Sequence, residues 1–164
     1  LFSSEIMDRT YERIQEIIPS YKNIIHDIYP LGSISKNIQN TIKQNFYRNE
    51  LNVWQITTND DLKFYAVLDN VKGKSMPITF LAIFNSNKEI ENVSIIKYRE
   101  PYGGEIRNSN WLKQFINYSD SSNYKIGKGI DNISGATISV KSVSKGIHKL
   151  SLIINYIITY FNGN

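Results

Sequence analysis

The sequence predicts an α+β domain, on three observations. Four segments rich in β-branched and aromatic residues follow one another closely in the middle of the chain. Short turn-forming connections join them, which favours antiparallel neighbours. Apolar residues at helical spacing mark the segments on either side, including a long one near the C-terminus. The expected architecture is an antiparallel sheet of about four or more strands, flanked by N-terminal helices and a long C-terminal helix.

Residues 4–18 read as an amphipathic helix, with Met7, Tyr11, Ile14 and Ile18 on its buried stripe and Pro19 as its stop. A loop containing Pro30 and Gly32 follows. A second helix is expected over 35–46, with Ile38, Ile42 and Phe46 on one face. The strands are expected at 53–57, 62–68, 78–84 and 90–98, with Asn59-Asp60-Asp61, Gly73 and Asn85-Ser86-Asn87 as turn-formers between them. Pro101-Tyr102-Gly103-Gly104 makes a further turn. Residues 108–115 form a short helix holding Trp111 and Phe115, and 117–131 a polar loop. The last helix starts near 137–139 and runs to about 160, with Val140, Val143, Ile147, Leu150, Ile154 and Ile157 as its buried stripe. No internal repeat or linker interrupts this order. The expected organisation is one structural domain, in which a helical segment, residues 1–50, packs on a domain formed by residues 51–164.

At 164 residues the chain can bury a core without metal or disulfide staples. Its lack of cysteine excludes disulfides, thiolate metal sites and cysteine nucleophiles together. The net charge of +4 is spread among acids along the chain, so no nucleic-acid partner is expected. The longest apolar run, 150–161, is too short to cross a bilayer and is interrupted by Asn155 and Thr159. The chain opens on Leu1 rather than methionine, which raises the expectation of an export signal or membrane anchor upstream. His26 and His148 have no partner at metal-ligand or catalytic spacing, and no dinucleotide loop, P-loop or hydrolase elbow occurs. No metal ligand and no catalytic residue is therefore assigned.

The informative segment is Asp131-Asn132-Ile133-Ser134-Gly135-Ala136-Thr137-Ile138-Ser139. It is a hydroxyl-rich turn of small residues that feeds a long helix. A helix N-terminus presents unpaired N–H groups and partial positive charge, which suits a phosphate. Gly135 and Ala136 permit close approach to the backbone. Ser134, Thr137 and Ser139 all carry hydroxyls that can bind a phosphate or be modified by one. Ordinary helix capping accounts for the same composition.

The full string resembles the flavinylation motif of the bacterial FMN-binding domains, an aspartate followed by a Ser/Thr-Gly-Ala-Thr core and another hydroxyl residue. That family includes the C subunit of the sodium-translocating NADH:quinone oxidoreductase, the G subunit of the Rnf complex and many small exported domains. A second string, Tyr98-Arg99-Glu100-Pro101-Tyr102-Gly103-Gly104-Glu105-Ile106, resembles the family's glutamate- and glycine-rich turn and is followed by Trp111, Gln114 and Phe115. The resemblance covers roughly residues 60–150, and the two motifs stand in the expected order.

The resemblance implies that FMN is the cofactor and that residues 51–164 are the FMN-binding domain. It implies that Thr137 carries the FMN through a phosphoester bond, made from FAD by a flavin transferase with release of AMP. Ser134, Gly135, Ala136, Ser139 and Asp131 would complete that end of the site. Gly103 and Gly104 would offer backbone N–H groups to the polar edge of the ring. Glu100 and Glu105 would accept hydrogen bonds from the ring or ribityl chain and lower the potential. Tyr102 or Trp111 would stack on the ring, although Trp111 and Phe115 also fit a core, and Arg99 a surface pair with a glutamate. The implied role is an electron carrier or redox-complex subunit rather than a stand-alone enzyme. Its expected partners are a flavin transferase and redox proteins or a membrane electron-transport complex. The expected location is extracytoplasmic, periplasmic or at the cell surface. Reversible FMN binding in the same pocket, and a flavin-free binding or scaffold module, are the alternatives.

Overall fold

A computed structural model describes residues 1–163. The elements run α1 (Ser4–Ile17), β1 (Tyr21–Pro30), α2 (Ile34–Ile42), β2 (Glu50–Thr58), β3 (Lys63–Lys72), β4 (Pro77–Asn85), β5 (Ile90–Lys97), α3 (Ser109–Leu112) and α4 (Thr137–Asn162), with 3₁₀ turns at Gly104–Arg107 and Lys113–Phe115. The strands form one antiparallel sheet in the order β1-β2-β3-β4-β5. The architecture is α+β, as the sequence predicts.

Strand alternation sends two sets of side chains to opposite faces. Val53, Tyr65, Val67, Phe80 and Ala82 pack beneath α2 and α4, while Trp54, Ile56, Leu68, Leu81 and Ile83 pack beneath α1. Helices therefore cover both faces, which explains why the central strands read as nearly continuous apolar runs. Among the described residues no helix is long and apolar enough to cross a membrane.

Three local readings change. Tyr21–Pro30, read as part of a loop, is an edge strand paired along β2. Only every third residue or so on it is even partly buried, so it lacks the period-two pattern that betrays an inner strand. Pro30 sits at its end, where no ladder donor is lost. In α1 the buried stripe is Ile6, Thr10 and Ile14, one residue behind the predicted Met7 and Tyr11. Thr10 tolerates burial because its hydroxyl donates to the Ile6 carbonyl at 2.7 Å. Helix α2 stops at Ile42 because Lys43 turns left-handed, with φ 62° and its N–H bonded to the Gln39 carbonyl.

Two contacts fix α4 on the sheet. Gly146 lies so close that a Cβ there would meet Val71 Cγ1 at 2.6 Å and Phe80 Cζ at 3.0 Å. Beyond it, Lys149 is fully buried and its ammonium stands 3.4 Å from Asp69 on β3. The same ammonium donates to the Asn45 carbonyl at 3.2 Å and lies 4.3 Å from the Phe46 ring centre. Burial pushes the Asp69 carboxyl up and the Lys149 ammonium down, against their mutual attraction.

Candidate functional site

The antiparallel order sets the site. Strands β4 and β5 pair Thr79 with Lys97, so the β3–β4 hairpin turn lies beside the chain leaving β5. Arg99 fastens that junction, donating to the Pro77 carbonyl at 2.6 Å and to Thr79 Oγ1 at 3.1 Å. It makes these contacts rather than the expected surface pair with a glutamate. The Glu100 carboxylate turns toward the hairpin and accepts from the Ser75 and Met76 amides at 3.2 and 3.4 Å. Gly73 leaves room for it, since a Cβ there would fall 2.1 Å from Glu100 Oε1.

The 98–104 turn then meets the start of α4. Tyr98 holds it, its hydroxyl donating to the Tyr102 carbonyl and lying 3.3 Å from Ser139 Oγ. Gly103 sits under that hydroxyl with φ +77°, and a Cβ would be 2.6 Å from the Tyr98 oxygen and 3.3 Å from Ser139 Oγ. Only glycine fits both the conformation and the space. Gly135, with φ +81° and open space where a Cβ would be, lets the chain reverse into α4.

Between these segments lies a cleft of about 560 Å³, within the ordinary range for a cofactor pocket. Its walls are Lys74 and Ser75 of the hairpin, Tyr98 to Gly103, and Gly135 to Ser139. A shallow depression of about 720 Å³ continues from it past Gly104, Glu105 and Arg107. The structure thus brings Glu100, Tyr102, Gly103, Gly135, Ala136, Thr137 and Ser139 to one cleft, with Gly104 and Glu105 next to it. Ser134 and Asp131 lie outside the cleft walls. Asp131 is held by its backbone, its amide donating to Gln114 Oε1 at 2.9 Å and its carbonyl accepting from Trp111 Nε1 at 2.7 Å. Trp111 is 6% exposed and packs edge-on against Phe115, with ring centres 5.2 Å apart. The indole therefore braces the loop before α4 from within the core and lines no part of the cleft.

The cleft is built for a phosphate and a flat apolar body. No side chain caps α4, so its first amides are free to donate to an anion, with the helix dipole behind them. Lys74 of the β3–β4 turn adds a cation to the cleft wall. Ile138 and Tyr102 stand 51% and 83% exposed there, a large apolar surface left for a ligand to cover. Thr137 is the first residue of α4 and is exposed, and its hydroxyl oxygen accepts from Asn132 Nδ2 at 3.3 Å. Residues 73–151 match the family model of the FMN-binding domain. That segment belongs to the FMN-binding domain family. The match begins at Gly73 in the β3–β4 turn and ends within α4, so it takes in every wall of the cleft and just under half of the chain. No curated protein matches the chain.

FMN is the cofactor, and the residues of the cleft fit it. Unpaired amides at the start of α4 and Lys74 suit its phosphate. Ile138, Tyr102 and the glycine turn suit its ring. Lys74, Ser75, Tyr98 and Ile138 were not singled out from sequence. Tyr98 and Ile138 belong to the two motif segments, 98–106 and 131–139. Lys74 and Ser75 join the site only through the pairing of β4 with β5.

Proposed function

We propose that this FMN-binding domain carries its flavin covalently on Thr137 and serves as an electron carrier. One observation supports Thr137 above the other hydroxyls. Of Ser134, Thr137 and Ser139, Thr137 alone is both exposed and part of the cleft wall. Ser139 is 5% exposed and its oxygen lies by Tyr98, while Ser134 is not part of the cleft wall. In the attachment step Thr137 Oγ bonds to the flavin-side phosphorus of FAD. The pyrophosphate bond breaks, AMP departs, and the hydroxyl proton passes to a base of the flavin transferase. Thr137 is exposed, where that enzyme can reach it, and Asn132 Nδ2 donates to its oxygen at 3.3 Å.

When bound, the flavin supplies the redox chemistry. This chain supplies position and electrostatics. The free amides of α4 and Lys74 would hold the phosphate, Gly103 would let the ring edge approach the backbone, and Glu105 would supply negative charge near it. Redox proteins or a membrane electron-transport complex are the partners of this reading, and its setting is extracytoplasmic, where a tethered flavin cannot be lost to the medium.

Co-expression with a flavin transferase and export, followed by intact mass on denatured protein, tests the assignment. The native protein is expected to gain the mass of FMN minus water, mapped to the Thr137 peptide, and Thr137→Ala to fold without the gain. Covalent flavin on Thr137→Ala would move the acceptor to another residue. Flavin released wholly on denaturation would establish reversible binding instead.

A further inference from the structure

A second cavity, of about 590 Å³, lies between the end of α2, the 122–126 loop and the middle of α4. It shares no wall residue with the FMN cleft. Its wall carries three ammonium groups: Lys141 and Lys145, one turn apart on α4, and Lys125 from the loop. No carboxylate lines it. Among the described residues none of the three makes an ion pair, and Lys145 reaches only the Lys43 carbonyl at 3.5 Å. Ser144 lies between the two helix lysines, 2% exposed, with a buried hydroxyl that has no hydrogen-bond partner. A hydroxyl left so costs about 1–3 kcal/mol, and the three lysines give the cavity a positive field with no counter-charge on its wall. Such an arrangement is favourable when an anion completes it.

The rest of the wall mixes polar groups (Thr41, Ser122, Asn123 and His148) with apolar ones. Ile42 and Ile126 come from the two sides. The Tyr124 ring stacks flat on His148, with centres 4.2 Å apart and planes 9° from parallel. Its hydroxyl is tied to the Ser119 carbonyl at 2.9 Å and to Ser151 Oγ at 2.7 Å. We propose that this cavity is a binding site for a small organic anion, a phosphate or carboxylate held by Lys141, Lys145 and Ser144, with its apolar body on Ile42, Ile126 and Tyr124. The site works without the flavin and is separate from it.

Amide NMR of the unflavinylated chain, titrated with phenyl phosphate, benzoate and inorganic phosphate, tests this. Phenyl phosphate and benzoate are expected to shift amides in 41–42, 122–126 and 141–148 and to saturate in the millimolar range or below. Phenyl phosphate binds about tenfold more tightly than inorganic phosphate, because its ring leaves water. The Lys141→Ser/Lys145→Ser pair weakens both aromatic probes about tenfold or more, while Lys63→Ser on the sheet changes neither. Should the pair fail to fold, Lys125→Ser on the opposite wall is expected to weaken binding by the same mechanism. Shifts confined to 73–75, 98–104 and 135–139, affinity unchanged in the lysine variants, or no saturable shift would each overturn the proposal.

Discussion

Lys149→Met removes one member of the buried pair that joins α4 to β3, and its cost can be worked from the geometry. At 3.4 Å and an effective dielectric constant of about 20, two unit charges attract by about 5 kcal/mol. Taking the ions out of water offsets much of that, at several kcal/mol for each. In the variant the offset for Asp69 stays while the attraction goes. Asp69 Oδ1 keeps the Asn70 amide at 2.9 Å, but Oδ2 has no hydrogen-bond partner. The expected loss is about 3–5 kcal/mol near neutral pH, read by urea unfolding. It is smaller in acid. Burial already raises the Asp69 pKa with Lys149 present, so without Lys149 the folded value lies further above the unfolded one. A raised acid favours the fold below the unfolded pKa and loses that contribution as pH rises through the folded pKa. Asp69→Val together with Lys149→Met leaves no buried charge and is expected to recover most of the loss. A single-variant loss under about 1 kcal/mol, or a double variant as unstable as the two losses summed, refutes the reasoning.

Further outcomes follow from the packing and the cleft. Gly103→Ala places a methyl 2.6 Å from the Tyr98 oxygen at a φ of +77°. It is expected to cost about 1–3 kcal/mol and lower flavin content, read by thermal unfolding and bound-flavin absorbance. Gly146→Ala is expected to destabilise by about 1–3 kcal/mol through its clash with Val71 and Phe80, outweighing the gain of about 1 kcal/mol in helix propensity; a rise in melting temperature would contradict the close approach. Burial lowers the His148 pKa, with the Asp120 carbonyl opposing. The unfolded chain then takes up a proton first as pH falls below about 6.5, and stability falls with it until the folded pKa is passed. His148→Phe keeps a ring on Tyr124 and is expected to flatten that slope in melting temperature against pH.

The candidate site was legible in sequence as far as its chemistry is local. The hydroxyl-rich string before α4 and the glycine turn after β5 owe their residues to backbone conformation and helix-end donors, which neighbours in sequence decide. Trp111 was not legible in this way. An exposed ring platform and a core brace look alike until the Trp111 N–H is seen on the Asp131 carbonyl. Lys74 and Ser75 carried no signal, since nothing in a hairpin turn tells which loop will lie beside it. Strand β1 was not legible because none of its residues is fully buried and its exposure follows no period of two, whereas the other edge strand, β5, buries half of its residues.

By itself the sequence determined the long amphipathic α4, the four strands β2 to β5, the turn chemistry at Gly103 and Gly135, and the threonine at the head of a helix. These follow from periodicity and φ/ψ preference, which act over a few residues. Tertiary structure alone decided that the two motifs share one cleft, that Lys149 meets Asp69 in the core, and that Lys125 joins Lys141 and Lys145 around a second cavity. Those meetings join segments far apart in the chain, and the free energy that selects them comes from burying both faces of the sheet at once, a property no single segment carries.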